Sequence, residues 1–74
     1  MTHEEVKALV ETKTYRQARE HILSMDPYEL QMLYYWGFHL DKNIFCSAAA
    51  GLLHDHYGMI PNYDLCGGRM SEYT

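Results

Sequence analysis

Apolar residues in the first half of the chain fall at helical spacing, and capping signals separate one run from the next. Val6, Leu9 and Val10 stand at i, i+3 and i+4, which makes one buried stripe of a first helix. Thr2 with Glu5 ahead of it has the S/T-x-x-E/Q spacing, in which a hydroxyl and a carboxylate each satisfy an otherwise free amide. Thr14 with Gln17 repeats the signal and opens a second helix. Tyr15, Ala18, Ile22 and Met25 share one face of it, and Arg16, Arg19 and Glu20 lie outside that face. A single bent helix through Thr14 is the competing arrangement, at a modest cost in helix propensity.

Asp26-Pro27-Tyr28-Glu29 is the strongest local signal: Asp caps, Pro stands at the first helical position where no amide is needed, and Glu closes the box. A third helix therefore starts at Pro27 and runs to about Leu40. Asp41-Lys42-Asn43 reads as a polar turn in which Asp41 or Asn43 caps a fourth helix, from about Ile44 to Tyr57, and Gly58 stops it. Pro61-Asn62 and Gly67-Gly68 favour turns in the last segment, although Ile60, Tyr63 and Leu65 are available to dock on the helices. The fold class expected is all-α: a small bundle of about four helices over residues 1–58, with an irregular, partly ordered C-terminal tail over 59–74.

The third helix carries more apolar surface than one face can hide. Leu30, Leu33, Tyr34, Gly37 and Leu40 line one side, Met32, Tyr35, Phe38 and His39 lie largely opposite, and Trp36 falls between. A four-helix domain this small is expected to surround such a helix only in part. Gly37 on the first face and Ala48-Ala49-Ala50-Gly51 on the fourth helix would allow close approach of the two. The fourth helix is expected to bury Phe45, Ala49, Leu52 and Leu53, together with Cys46 and His56, and to turn His54, Asp55 and Ser47 toward solvent. The unclaimed residues of the third helix, Met32, Tyr35, Trp36, Phe38 and His39, are then the expected partner-binding surface.

Composition narrows the possible activities. A chain of 74 residues has room for one domain with a thin core, so self-association is an early expectation. Its hydrophobic fraction of 47% is that of a folded chain. The formal charge of -4 and the dispersed acids argue against binding nucleic acid by counterion release. A helix-turn-helix reader is disfavoured too, because Lys42 is the only Lys or Arg from Met25 through Gly68. The apolar runs fall short of the roughly 20 residues a membrane span needs. Cys46 and Cys66 are too few for a secreted disulfide framework, and no signal pattern precedes the first helix, so a cytoplasmic setting is expected.

Candidate chemistry is sparse. Cys46, His54, His56 and Cys66 have the thiolate and imidazole character that suits tetrahedral zinc, but a continuous helix would project His54 and His56 roughly 200° apart. A nucleophile at Cys46 or Ser47 would lie two helical turns from His54, beyond direct hydrogen-bond reach. Gly67-Gly68 lacks the strand and helix of a phosphate loop. No cofactor is implied.

Two resemblances bear on function. Ala48-Ala49-Ala50-Gly51-Leu52-Leu53-His54-Asp55 resembles the metal-binding His-Asp segment of the HD-domain phosphohydrolases. That likeness implies metal ligation by His54 and Asp55 with an earlier His, for which His21 is available, and a later Asp, for which there is only Asp64. It covers about eight residues, and the chain is shorter than that family's bundle. The profile as a whole is similar to the small helical accessory proteins of temperate phages, being short, acidic and tyrosine-rich without enzyme motifs. This implies a non-catalytic interaction module, a homo-oligomer or a modulator of another protein; the alternative is a metal-binding protein, with structural zinc ahead of an HD-type remnant.

Overall fold

The structure, a computed structural model, describes residues 1–61 and 70–72. Four helices follow one another: α1 over His3–Thr12, α2 over Tyr15–Leu23, α3 over Pro27–His39 and α4 over Asn43–Tyr57. The all-α bundle expected from the periodicity is what forms. The competing single bent helix does not, because α1 and α2 are interrupted by extended backbone at Lys13 and Thr14.

All three capping boxes close. The Thr2 hydroxyl accepts from the Glu5 amide at 3.2 Å while Glu5 accepts from the Thr2 amide at 2.8 Å. Thr14 and Gln17 exchange the same pair of bonds, as do Asp26 and Glu29. Each box satisfies amides that the first turn of a helix leaves free, and losing such a cap costs on the order of 1 kcal/mol.

The start of α4 differs from expectation: Lys42 is the cap residue and no side chain bonds to the helix end. Neither Asp41 nor Asn43 is available for that task. Asp41 has a φ of 60° and occupies the left-handed position that closes α3, where the Lys42 amide donates to the Gly37 carbonyl at 2.8 Å and the Asp41 amide to the Phe38 carbonyl at 3.3 Å. Asn43 is already inside α4. At the other end, Gly58 takes a φ of 62° and donates to the His54 carbonyl, so the glycine stop falls where it was expected.

The hydrophobic core draws on every helix: Val6, Leu9 and Val10 from α1, Ala18 and Ile22 from α2, Leu30, Met32 and Leu33 from α3, and Phe45, Ala49 and Leu53 from α4, with Met25 between α2 and α3. Full burial of side chains such as Ile22, Leu33 or Leu53 contributes about 1.5–3 kcal/mol each relative to exposure. Helix α3 packs chiefly against α4 and next against α1. Its successive residues Leu30, Gln31, Met32 and Leu33 are all buried, and at 100° per residue those four cover the whole circumference. The N-terminal half of α3 is thus the centre of the domain, and four short helices do surround it there.

The α3–α4 approach is close at Gly37, whose nearest neighbours are Phe45 and the backbone of Cys46 in the first turn of α4. The Ala48–Gly51 stretch is not its partner, since a hairpin joined through Leu40, Asp41 and Lys42 sets the end of α3 against the beginning of α4. Ala49 is buried, Ala48 and Ala50 are half-buried, and Gly51 is open. Cys46 and Leu52 are half-buried, whereas His56, expected inside, is exposed.

Beyond α4, β1 over Met59–Pro61 pairs antiparallel with β2 over Met70–Glu72, with Ile60 opposite Ser71. Strand β1 rests on α4. The segment expected to be irregular therefore contains a short ladder. Pro61, expected to form a turn with Asn62, ends β1, while Asn62, the expected turn at Gly67-Gly68 and the docking of Tyr63 and Leu65 lie outside the described residues.

Candidate functional site

The C-terminal half of α3 carries a run of aromatic rings along one edge. Tyr35 and His39, one turn apart, have ring centroids 4.3 Å apart. Tyr35 meets Trp36 edge to face at 5.0 Å, and Phe38 meets His39 at 5.5 Å. Edge-to-face and tilted pairs of this kind are favoured by the ring quadrupoles and hold the side chains in defined orientations. Phe38 is 48% exposed and His39 is exposed, whereas Tyr35 and Trp36 are half-buried.

Helix α1 covers the other end of the run. The Trp36 indole Nε1–H donates to His3 Nδ1 at 3.1 Å, and the His3 ring stands edge-on to both Tyr35 and Trp36 at about 6 Å. The Lys7 ammonium, one turn along α1, lies 5.4 Å from the centre of a Trp36 ring, a cation–π contact. The N-terminal ammonium adds a second tie between the same helices by donating to Glu29 at 2.9 Å. Its pKa is raised, first by that hydrogen bond, and the Glu29 carboxyl is held low by the Asp26 amide and then by the ammonium.

The five residues expected to bind a partner therefore separate. Met32 belongs to the core, buried among the helices of its own chain. Trp36 is half-claimed by α1 through His3 and Lys7. Tyr35, Phe38 and His39 remain as the outward edge. Periodicity placed Met32 correctly on the side away from Gly37; it could not show that α1 covers the early turns on that side.

The metal candidates do not assemble among the described residues, where no group of three His, Cys, Asp or Glu side chains comes together. His54 and Asp55 are exposed and pair with each other at 3.1 Å, and α4 continues through His56, so the two imidazoles leave the helix in different directions. His21 Nε2 lies 2.9 Å from the Met1 sulfur. Cys66 and Asp64 lie outside the described residues. Burial raises the pKa of the Cys46 thiol, with a hydrogen bond to Tyr34 opposing that shift, so the thiolate form is disfavoured at Cys46.

A second surface feature had no counterpart in the sequence reading. Two adjoining open hollows, about 540 and 330 Å³, share Tyr15 and Ile44 in their walls. Ile44 is 58% exposed, and Tyr15 meets the buried Phe45 edge to face at 6.2 Å. The available signal was an isoleucine in the first turn of α4, off the buried Phe45–Ala49–Leu53 stripe. Gln31 was also missed, being the buried polar side chain at the centre of α3.

Among the described residues no helix is long and apolar enough to cross a membrane. Compared with known proteins, the chain matches no family model, no curated protein and no solved structure.

Proposed function

We propose that this chain is a non-catalytic protein-interaction module that docks through the Tyr35, Phe38 and His39 edge of α3, with Trp36 at its margin. The observation that carries this reading is Phe38. A phenylalanine with about half its surface open, in ring contact with His39 and beside Tyr35, extends the partly covered aromatic run into solvent. Aromatic side chains of this type dominate interface energetics because they offer large area at low entropic cost.

A second copy of the chain is the favoured partner, since the edge of one helix can meet its own twofold mate with the same residues on both sides. A small core also gains from such a dimer. The likeness in size and composition to phage accessory proteins supports a modulator role, in which the same edge contacts a larger protein. The two cysteines, too few for a secreted disulfide framework, fit action in the cytoplasm.

Sedimentation of the wild-type protein against Phe38→Ser and Tyr35→Ala tests the dimer. The expected result is a wild-type dimer that each substitution shifts toward monomer. A wild type that stays monomeric over the accessible concentration range ends the dimer reading, and a dimer unmoved by either substitution places its interface elsewhere.

A further inference from the structure

We infer that His3 is a proton-sensitive latch that holds α1 over the aromatic edge of α3, so that protonating it uncovers Trp36 and Tyr35. The argument starts from donor and acceptor chemistry. An indole N–H can only donate, so the His3 Nδ1 that receives it at 3.1 Å must be unprotonated. The proton of the neutral ring then sits on Nε2, which is enclosed and has no hydrogen-bond partner.

A second proton must go to Nδ1, where it meets the Trp36 N–H head-on and removes the bond. The resulting imidazolium loses its bond to Trp36 and gains no direct ion-pair partner among the described residues. It stands in the first turn of α1, where the helix dipole disfavours a cation. On its own helix Glu4 and Glu5 share that turn as carboxylates, Glu4 exposed and Glu5 bonded to the Thr2 amide, and Lys7 is a further cation over the Trp36 ring. Ahead of it the Met1 ammonium is paired with Glu29, which reaches across from α3. The other titratable groups on the facing side of α3 are Tyr35, in ring contact with His3, and His39, in ring contact with Tyr35. Among the described residues neither ion pair, Met1–Glu29 or His54–Asp55, involves His3. With the Trp36 bond lost and the Nε2–H enclosed without an acceptor, the charged ring satisfies its two donors only by turning toward water, and moving His3 outward lifts the start of α1 off α3.

Trp36 is the only tryptophan in the chain, so its fluorescence reports on this contact directly. Acidification is expected to shift Trp36 emission to the red in a one-proton step while helical circular dichroism stays constant. His3→Asn, whose amide oxygen offers an acceptor that does not titrate, is expected to abolish the step, and His39→Asn to keep it. Nitrogen chemical shifts of the wild-type protein at neutral pH are expected to show His3 protonated on Nε2, a result that needs no variant to fold.

A flat wild-type titration, a step that survives His3→Asn or disappears in His39→Asn, loss of helix together with the shift, or a His3 protonated on Nδ1 overturns the inference. Its consequence for partner binding rests on the interaction reading above. A failure of that reading would appear in sedimentation and leave the fluorescence step intact.

Discussion

Gly37 and Cys46 are in contact through their backbones: a Cβ added at Gly37 would stand 2.6 Å from the Cys46 amide nitrogen and 3.1 Å from its Cα. No side-chain rotation relieves such a clash, because the obstructing atoms are main chain within the first turn of α4. Gly37→Ala is therefore expected to destabilise the fold by about 1–3 kcal/mol through overpacking, outweighing the roughly 1 kcal/mol that alanine gains in intrinsic helix propensity. Denaturant melts would show a lower midpoint. A variant as stable as the wild type, or more so, would mean that α3 and α4 are farther apart than the structure has them.

Asp41 closes α3 from the left-handed region, with a φ of 60°. For an L-residue with a side chain that conformation costs roughly 1–2 kcal/mol, and part of this cost is recovered by glycine after allowing for its freer unfolded chain. Asp41→Gly is expected to raise stability by about 0.5–1 kcal/mol, seen as a higher melting temperature. A lower one would indicate that the Asp41 side chain does more than tolerate its position.

The capping carboxylates set a pH dependence. Glu5 is held below its ordinary value by the backbone and side chain of Thr2, and Glu29 by the Asp26 amide and the N-terminal ammonium. A depressed folded-state pKa stabilises above the unfolded value, near 4.5, and that stabilisation is lost as pH falls through the folded one. The ammonium has the opposite sign: raised above 8.0, chiefly by its hydrogen bond to Glu29, it stabilises below that value and ceases to do so as pH rises through the folded one. Stability measured against pH should fall at both ends. Glu29→Gln keeps an acceptor for the capping box but removes the charge, so it should flatten both limbs; an unchanged profile would show that the Met1–Glu29 pair contributes nothing.

Met32 and Phe38, both assigned by periodicity to the outward side of α3, should behave in opposite ways. Met32→Ala empties a core position and is expected to cost about 2–5 kcal/mol of stability. Phe38→Ser is expected to leave stability within about 0.5 kcal/mol of wild type, as substitutions at open surface positions usually do, while weakening association. Paired thermal melts and sedimentation runs would check this, and a large loss of stability in Phe38→Ser would move Phe38 into the fold.

The chain's local code was legible without coordinates. Thr2–Glu5, Thr14–Gln17 and Asp26–Glu29 announce the starts of α1, α2 and α3, Gly58 announces the end of α4, and the stripe Val6–Leu9–Val10 is buried as its spacing requires. These signals are short-range: a cap or a stripe involves residues within a turn or two, whose geometry is set by the helix itself. Which groups cover an apolar face is not a local quantity. Nothing in the spacing of Met32, Trp36 and Phe38 distinguishes a core residue from one under α1 and one open to solvent, since that depends on residues some thirty positions earlier folding back across α3. The helices and the excess of apolar surface on α3 were determined by the sequence alone. Only the tertiary structure decided that α1 and α4 enclose its first half, that His3 and Lys7 take Trp36, that Tyr35 is half-covered beside them, and that the open remainder is Phe38 and His39.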